Sequence, residues 1–319
     1  MRAFVTGATG FLGGRLVAKL RERGDEVVAL VRSRERGRLL DAELVVGDLS
    51  SRDALRGAME GVDGVFHLAA MYEVGIARER RSEMYEANVH GTENVLDAAV
   101  DARVPRIVYV STVNAFGNTR GAVVDETYVR PVDAGYVSAY DWTKHVAHEV
   151  ARERIERGAP VVVVQPGAIY GPGDHSELGS QLEQARNGTL LFRALSGVGV
   201  NAVHVDDVAD GILLAFDRGR IGESYVLGGE IATLDTLIDT VARLAGRRAP
   251  RLRVPTVLLK AAVPAGPLIG RVMGTGPNLR ELIAASDGVT YWASDEKARR
   301  ELGYAPRDLE HGLADLVGR

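Results

Sequence analysis

The sequence contains no cysteine among its 319 residues. Disulfide bonds, thiolate catalysis and cysteine-ligated zinc are therefore excluded. Lysine is scarce as well, because only four of the 39 basic residues are lysines. No polybasic run occurs and the formal net charge is −4, so the chain lacks the broad positive field that attracts nucleic acid or anionic lipid. We expect no nucleic-acid partner and no membrane partner.

Long uninterrupted hydrophobic runs are also absent. The most apolar stretch is VPTVLLKAAVPAGPLIGRVMG (254–274), and Lys260, Pro264, Pro267 and Arg271 interrupt it. This stretch predicts a helix that covers a pocket or forms an interface, rather than a membrane span. The first residues, MRAFVTGATG, enter a strand without the charged and apolar regions of a signal peptide, which predicts a cytoplasmic protein.

Apolar runs alternate with helix-like stretches in the first half of the chain. The apolar runs are RAFVTG, EVVALV, ELVVG, DGVFHLA, RIVYVST and PVVVVQP, and the helix-like stretches are 12–23, 51–59, 81–101 and 138–157. Such runs are typical of strands buried on both faces, and strict alternation predicts βαβ units. The predicted fold class is α/β, with a doubly wound parallel sheet of the Rossmann type in residues 1–170.

Beyond residue 170 the pattern changes to glycine-rich loops, an isolated apolar strand in ESYVLGG, and helices. The helices are predicted near 233–246, 255–263, 277–286 and 294–302. We expect residues 171–319 to form a smaller substrate-binding lobe over the strand ends, with some return of the chain to the large sheet.

A glycine-rich turn follows the first predicted strand and opens the first helix. In VTGATGFLGG, the spacing of Gly7, Gly10 and Gly13 is typical of a dinucleotide-binding turn. The glycines allow a tight turn, close approach of backbone to a pyrophosphate, and close packing of the helix on the sheet. Backbone N–H groups then hold the phosphates. The residues predicted to bind the cofactor here are Gly7, Thr9, Gly10, Phe11, Leu12 and Gly13.

The end of the second strand reads ALVRSRER and carries no carboxylate for the ribose 2′-hydroxyl of NAD. Arg32 stands at the strand end, where a guanidinium suits a 2′-phosphate. NADP(H) is therefore the predicted cofactor, with NAD(H) as the alternative. After the third strand, Asp48 and Leu49 could bracket the adenine, although Asp48 could equally be only a helix N-cap.

Tyr140 and Lys144 lie four residues apart in the predicted helix 138–157, so they share one face. The ammonium is expected to lower the pKa of the phenol in a partly desolvated cleft. Thr112 ends the fifth strand, at the sheet edge where ligands bind, and its hydroxyl could donate to a carbonyl oxygen. Taken alone, Thr112 could equally close a strand-end turn. The three groups together predict a hydride-transfer site.

Several motifs occur in a fixed order along the chain. They are the glycine turn, Asp48–Leu49, HLAA (67–70), ANVHGT (87–92), Thr112, Tyr140 with Lys144, and PGAIYGPGD (166–174). As a set they resemble the extended short-chain dehydrogenase/reductase family, also called the NAD-dependent epimerase/dehydratase family, over essentially the whole chain. ALVR, PGAIYGPGD and NAVHVDDVADGILLAFDRGRIGESYVLGGE look most like its dihydroflavonol-reductase-like and hopanoid-associated branch.

The resemblance implies a role for each residue of the predicted site. Thr112 would be the hydroxyl donor, Tyr140 the acid/base, and Lys144 would hold the nicotinamide ribose while acidifying the phenol. Asn88 would have either a structural or a catalytic role. Two further segments at strand ends would contact the cofactor: Leu68, Ala69 and Ala70, and Pro166, Gly167, Ala168 and Ile169.

Three functions are compatible with this reading: a carbonyl reductase or alcohol dehydrogenase, a nucleotide-sugar epimerase or dehydratase, and a non-catalytic NADP-sensing protein. Sugar-nucleotide members resemble one another in a diphosphate-binding arginine, where this chain has Val200. The 4,6-dehydratases resemble one another in an Asp–Glu pair, where this chain has Val113 and Asn114. Both departures favour the reductase, although Arg186 or Arg193 could still bind phosphates. A sensor would tend to have lost Tyr140 and Lys144.

The residues that follow the strands should line the substrate pocket. They are Met71, Tyr72, Asn114, Phe116, Tyr136 and Tyr170, with the loop 175–200. Their apolar and aromatic character predicts a hydrophobic or aromatic aldehyde or ketone as substrate. The histidine spacing fits no metal site, so no metal is expected.

Helices 81–101 and 138–157 carry apolar stripes. The family resemblance implies that they pair across a two-fold axis as the four-helix interface of a homodimer, and packing on their own sheet alone is the alternative.

Overall fold

The computed structural model describes residues 1–263 and 278–318 of the chain. Its strands are β1 Arg2–Thr6, β2 Glu26–Val31, β3 Glu43–Val46, β4 Gly64–His67, β5 Ile107–Val110, β6 Val161–Pro166, β7 Ala168–Tyr170, β8 Arg193–Ala194, β9 Gly199–His204, β10 Ser224–Leu227, β11 Glu230–Thr233 and β12 Arg253–Val254.

The described residues also form thirteen α-helices. They are α1 Phe11–Glu22, α2 Arg34–Gly37, α3 Arg52–Ala58, α4 Arg81–Tyr85, α5 Gly91–Asp101, α6 Ala139–Glu156, α7 Glu177–Asn187, α8 Val205–Arg218, α9 Leu234–Leu244, α10 Thr256–Ala262, α11 Leu279–Ser286, α12 Glu296–Leu302 and α13 Leu309–Val317. A π-helical turn, Glu86–His90, joins α4 to α5, so the predicted helix 81–101 is continuous but locally widened.

Seven strands form one sheet in the order β3-β2-β1-β4-β5-β6-β10, and every neighbouring pair is parallel. The chain starts in the middle of the sheet, winds outward to β3, and then returns to wind the other way from β4. The predicted doubly wound parallel sheet of the Rossmann type is therefore confirmed.

Valine-rich strands form the centre of this sheet because both of its faces are covered. In β6, Val162 and Val164 pack with α1 and α8, whereas Val161 and Val163 pack with α3, α5 and α6 on the opposite face. Successive side chains of a strand point to opposite faces, so an unbroken apolar run serves two hydrophobic cores at once.

ESYVLGG forms a strand as predicted, but the strand is not isolated. β10 is the seventh strand of the large sheet and pairs with β6, and α8 packs against α1 before the chain enters β10. The βαβ winding thus continues after residue 170. Sequence analysis missed this crossover because it did not assign the amphipathic stretch VDDVADGILLAFDR to a helix. It also missed α7 and α13.

Helix α12 packs on α8 and β10 in the core of the large sheet, whereas the short sheets and α7, α9 and α13 form a second core. β9 pairs in parallel with β7 and in antiparallel with β11, and β8 pairs with β12. Residues of α7, α9 and α13 pack together with Tyr170 and Ala202 in this second core, which is the core of the C-terminal lobe.

The apolar stretch 254–274 begins with α10, as predicted for 255–263. Its part from residue 264 lies outside the described residues, as does residue 277, the predicted start of the helix observed as α11. Within the part of the chain that the structure describes, no helix is both long enough and apolar enough to cross a membrane.

Candidate active site

The glycine turn connects β1 to α1, and its conformation requires glycine at two positions. Gly7 has a φ of +74°, and a Cβ atom there would lie 2.7 Å from the backbone nitrogen of Ala69. A Cβ atom on Gly13 would lie 2.0 Å from the carbonyl oxygen of Gly7. Gly10 caps α1 without any side-chain hydrogen bond, and the first turn of α1 contains no acidic residue. The helix N-terminus therefore keeps N–H groups and a positive dipole for an anion such as a pyrophosphate.

Arg32 lies at the carboxyl end of β2, next to the end of β3, where Asp48 stands. The Arg32 side chain is exposed and forms no ion pair with any residue that the structure describes. The Asp48 carboxylate accepts hydrogen bonds from the Ser50 backbone and hydroxyl, at 2.9 and 2.5 Å, which lower its pKa. Asp48 is not the N-cap of α3, because Ser51 has that position and accepts from Ala54.

The two further segments predicted to contact the cofactor also lie at strand ends. Leu68 and Ala69 follow β4 directly and pack against Gly7 in the glycine turn. Pro166–Ile169 joins β6 to β7, and Gly167 approaches β9 so closely that a Cβ atom would lie 2.0 Å from the Asn201 carbonyl oxygen. Both segments therefore present their backbone at the carboxyl edge of the sheet.

The three predicted catalytic residues, Thr112, Tyr140 and Lys144, all lie at this edge. The Thr112 hydroxyl lies 3.2 Å from both the backbone nitrogen and Oδ1 of Asn114. Tyr140 lies in the first turn of α6, and the Thr112 hydroxyl is close enough to lower the pKa of its phenol. Lys144 follows one turn later and is only 3% exposed; its ammonium donates to the Val110 carbonyl at 3.1 Å.

Burial shifts the pKa of both ionisable groups towards the neutral form. Burial raises the pKa of the Tyr140 phenol above its usual value of 10.0, and hydrogen bonding with Thr112 only partly opposes this increase. Burial lowers the pKa of Lys144 to about 8. The expected lowering of the Tyr140 pKa is thus not found in this structure. The cost of desolvating a phenolate exceeds the stabilisation that its surroundings provide.

A buried polar network supports Lys144, and sequence analysis missed it. The Lys144 ammonium lies 3.5 Å from the Tyr109 hydroxyl, and the Tyr109 ring stacks on His67. The His67 imidazole forms hydrogen bonds with the hydroxyls of Thr6, at 2.8 Å, and Thr92, at 3.1 Å. Burial lowers the pKa of His67 to about 3, so the ring is neutral at pH 7. The network connects the strand before the glycine turn to Lys144.

Asn88 ties the loop after β4 to α6. Its side-chain amide donates to the Met71 carbonyl at 3.0 Å and to the Thr143 hydroxyl at 3.1 Å, and its oxygen accepts from the Met71 backbone at 2.6 Å. These partners are the Met71 backbone and the Thr143 hydroxyl, and none of them is a predicted catalytic group. The geometry favours the structural role over the catalytic one.

Four of the six predicted pocket residues lie near Tyr140 or on the segment that leads to it. The ring of Tyr72 meets the ring of Tyr140 edge-on, with centroids 4.7 Å apart, and Met71 packs beside it. Asn114 bonds Thr112, as described above, and Tyr136 is half-exposed on the segment that precedes α6.

The other two pocket predictions are wrong. Tyr170 is 1% exposed and packs against Gly312 and His204 in the core of the C-terminal lobe. Phe116 is buried against Tyr128, with ring centroids 5.9 Å apart. Sequence analysis placed both at the pocket because each follows a strand, but these side chains point into hydrophobic cores.

Two residues of the C-terminal lobe reach the site without any sequence signal. The Tyr291 phenol lies close enough to Tyr140 to raise the pKa of the Tyr140 phenol. The Glu281 carboxylate accepts from the Ala139 backbone at 2.7 Å, at the start of α6, and pairs with Arg81 at 2.7 Å. More than a hundred residues separate each from its partners, so neither spacing nor periodicity could predict them.

Comparisons with known proteins agree with this fold and site. Residues 3–228 match the NAD dependent epimerase/dehydratase family. The chain is 36% identical to a 4-hydroxy-2-methyl-3-oxo-4-farnesyl-3,4-dihydroquinoline-1-oxide ketoreductase of Stigmatella aurantiaca, over 96% of this chain and 92% of that protein.

Solved structures are similar over essentially the whole chain. The crystal structure of gox2253 has a TM-score of 0.83 at 35% identity, covering 99% of this chain and 96% of that one. A double mutant of DesIV, the dTDP-glucose 4,6-dehydratase of Streptomyces venezuelae with NAD bound, has a TM-score of 0.79 at 27% identity, covering 100% and 96%.

The fold and the relatives define an oxidoreductase that uses a nicotinamide dinucleotide. The chain belongs to the NAD dependent epimerase/dehydratase family, the extended branch of the short-chain dehydrogenases/reductases.

Proposed function

We propose that this enzyme reduces a hydrophobic or aromatic aldehyde or ketone to an alcohol with NADPH, using Thr112, Tyr140 and Lys144. The observation that carries the proposal is the placement of a hydroxyl, a phenol and a buried ammonium at the carboxyl edge of the sheet. This edge also holds the glycine turn, which fits a dinucleotide.

Each of the three side chains has a distinct task in this proposal. The bound nicotinamide supplies the hydride. Thr112 donates a hydrogen bond to the carbonyl oxygen as negative charge develops there. Tyr140 gives its proton to the resulting alkoxide, and its raised pKa keeps the phenol protonated at pH 7 until that moment. Lys144 holds the ribose and stabilises the phenolate that forms.

The preference for NADPH rests on Arg32. Its exposed guanidinium stands at the end of β2, where a 2′-phosphate would lie, and it has no carboxylate partner among the described residues. Replacing Arg32 with Asp should weaken NADPH binding much more than NADH binding, as measured by cofactor fluorescence. Arg34→Asp is the matched control, because Arg34 is also exposed but lies in α2, beyond the strand end. An equal loss for both cofactors would contradict the assignment.

The substrate class follows from the surroundings of Tyr140. Met71, Tyr72 and Tyr291 are apolar or aromatic, and Tyr72 is 61% exposed beside the phenol. A carbonyl flanked by rings or aliphatic groups would bury apolar area against them. The Stigmatella relative is by name a ketoreductase of a farnesylated quinoline, which is a ketone of this kind.

The sugar-nucleotide alternative has a specific finding against it. Arg193, which could have replaced the missing diphosphate-binding arginine, is 6% exposed and donates to Asp235 at 2.9 Å and to Asp239. Its charge is already neutralised within the lobe. Val200 and Val113 stand at the positions where sugar-nucleotide enzymes and dehydratases of the family have charged groups.

Turnover by the wild type and by Tyr140→Phe tests the proposal directly. Nicotinamide oxidation should be observed with aromatic aldehydes and ketones, and Tyr140→Phe should lower kcat by about 100-fold or more, since positioned general acids contribute factors of this size. The phenylalanine keeps the ring and its packing. Turnover of UDP-sugars instead of carbonyl compounds would overturn the proposal in favour of the alternative.

We also propose a homodimer in which 81–101 and 138–157 pair with their copies across a two-fold axis. These helices lie side by side on one face of the sheet, and Val100 is 42% exposed on α5. Sedimentation equilibrium should give twice the mass of the chain. A monomer at micromolar concentration would contradict the proposal.

A further inference from the structure

The carboxylate of Asp141, directly after Tyr140, is fully buried and ion-paired. Its two oxygens accept from the two terminal nitrogens of Arg130, at 2.7 and 2.9 Å. The side chains of Asp141 and Arg130 are 0% and 7% exposed. A bidentate pair with this burial costs desolvation energy, and well-packed apolar residues are often no less stable at such positions. Stability alone therefore does not account for the pair.

The contacts of Arg130 and Asp141 reach the segment that leads into the helix of Tyr140. Asp141 also accepts from the Val137 backbone at 3.0 Å, and Arg130 donates to the Gly135 carbonyl. The guanidinium lies over the Tyr136 ring, 4.4 Å from its centroid. The pair thus fastens the segment before α6 onto the first turn of that helix.

A further contact extends the pair to the loop after β5. A Cβ atom on Gly117, whose φ is +77°, would lie 2.8 Å from the Arg130 guanidinium carbon, so this glycine lets the loop after β5 pack on the pair.

We propose that Arg130 and Asp141 are positioning residues that set the place of the Tyr140 phenol relative to the Thr112 hydroxyl. This inference rests on the proposed carbonyl reduction. Asp141 is the residue directly after Tyr140, so its ion pair with Arg130 fixes the backbone that carries the phenol. The same pair packs against Gly117 in the loop that follows Thr112. Misplacement of a reacting group by about 1 Å can cost about 100-fold in rate.

Four variants separate positioning from stability. They are Arg130→Lys, Arg130→Met, the double variant Arg130→Met/Asp141→Leu, and Arg154→Met. Arg154→Met is the control. Arg154 lies in α6, as Tyr140 does, but about 20 Å further along the helix. It makes a bidentate pair with Asp97 of α5. Each variant is assayed for kcat and KM with an aromatic aldehyde, for NADPH binding by fluorescence, and for thermal stability.

Arg130→Met should lower kcat by about 10- to 100-fold without changing the dissociation constant of NADPH. Arg130→Lys, which keeps the charge but loses the fork, should lose less. The double variant should regain thermal stability but not kcat, and Arg154→Met should keep the wild-type kcat. Recovery of kcat together with stability in the double variant would show a purely structural pair and would overturn the proposal, as would an unchanged kcat in folded Arg130→Met.

Hydrogen exchange keeps the inference testable apart from the proposed reaction. In Arg130→Met, amides of residues 130–143 should exchange faster while those of 150–157 stay protected, and Arg154→Met should show the opposite pattern. If wild type reduces no carbonyl compound, the proposed reaction fails. In that case, unchanged exchange of residues 130–143 in Arg130→Met would overturn the proposal that Arg130 and Asp141 hold this segment in place. Faster exchange confined to residues 130–143 would support it.

Discussion

Lys144 is buried under the carboxyl edge of the sheet, and its ammonium has two neighbouring oxygen atoms as partners. Val110 and Tyr109 provide a carbonyl and a hydroxyl oxygen, but no carboxylate pairs with it among the described residues. Burial therefore lowers the Lys144 pKa to about 8. At neutral pH the group is still mostly charged, so it can hold a ribose hydroxyl and stabilise a phenolate.

This shift makes the stability of the protein depend on pH. Below pH 8 Lys144 is protonated in both the folded and the unfolded state, and folding carries the full cost of burying the charge. Between pH 8 and the unfolded value of 10.5, the unfolded state binds more protons, so this group makes the free energy of unfolding rise with pH. The rise amounts to about 3 kcal/mol at most.

We expect Lys144→Met to remove this contribution. Urea unfolding across this pH interval measures the free energy of unfolding of both proteins. As pH rises, the wild-type value minus the Lys144→Met value should increase. Other titrating groups are common to both proteins and cancel in the difference. Parallel curves for the two proteins would contradict the lowered pKa.

At the scale of the element, the first turn of α1 packs against the glycine turn so closely that there is no room for a methyl group at Gly13. The carbonyl of Gly7 lies where a Cβ on Gly13 would be, at 2.0 Å, whereas a Cβ on Gly14 would lie 3.8 Å from the Ala8 carbonyl oxygen. Both glycines are in α1, so they share the same helical backbone preference.

Alanine should therefore have opposite effects at the two positions. Gly13→Ala should displace the turn, lower stability and abolish NADPH binding, whereas Gly14→Ala should be neutral or stabilise α1 by up to about 1 kcal/mol. Thermal unfolding with and without NADPH measures both effects. Equal behaviour of the two variants would show that the glycine turn is not as tightly packed as described.

The start of α6 depends on a carboxylate from the other lobe. Glu281 is 5% exposed and accepts from the Ala139 backbone, while Ser138 caps the same helix from within the chain. A buried carboxylate at a helix N-terminus is favoured by the helix dipole and by charge-assisted hydrogen bonds.

Glu281→Gln should lower the free energy of unfolding by about 1–3 kcal/mol, because it removes the charge and leaves Arg81 without its partner. Glu310→Gln is the control, since Glu310 and Arg243 form an exposed pair that is worth at most about 1 kcal/mol. Urea unfolding distinguishes the two variants. Similar losses for both would mean that Glu281 contributes no more than a surface charge.

At the scale of the whole molecule, the large sheet is completed from the second half of the chain. Val208, Ile212, Tyr225 and Leu227 are 0% exposed and belong to the same core as β1 and α1. Their segment follows β9, which belongs to the C-terminal lobe, so the chain passes from the sheet to the lobe and back.

Residues 1–170 alone should therefore not fold cooperatively, although they contain six of the seven strands. One face of β6 and part of α1 would be uncovered, and exposed apolar area of this size favours aggregation or a loosely packed state. Near-ultraviolet circular dichroism and urea unfolding of the fragment, beside the full chain, measure this. A sharp transition of the fragment would show an independent domain.

The sequence by itself determined the class of fold and the main chemical groups of the site. Valine runs such as that of β6 are typical of strands buried on both faces, and the glycine spacing around Gly13 between a strand and a helix is typical of a close turn. Local patterns therefore suffice for these features. Tyr140 and Lys144 were predictable for the same reason, because residues four apart on a helix share a face.

Only the tertiary structure decided which groups surround these residues and how they are charged. Tyr291, Glu281 and the place of β10 depend on contacts between distant parts of the chain, and a local pattern carries no record of those contacts. The direction of the Tyr140 pKa depends on burial, which is a property of the packed molecule. Sequence spacing predicts which residues share a helix face. It does not predict how much water packing removes around them, and this desolvation sets the free-energy cost of the charged form and therefore the pKa.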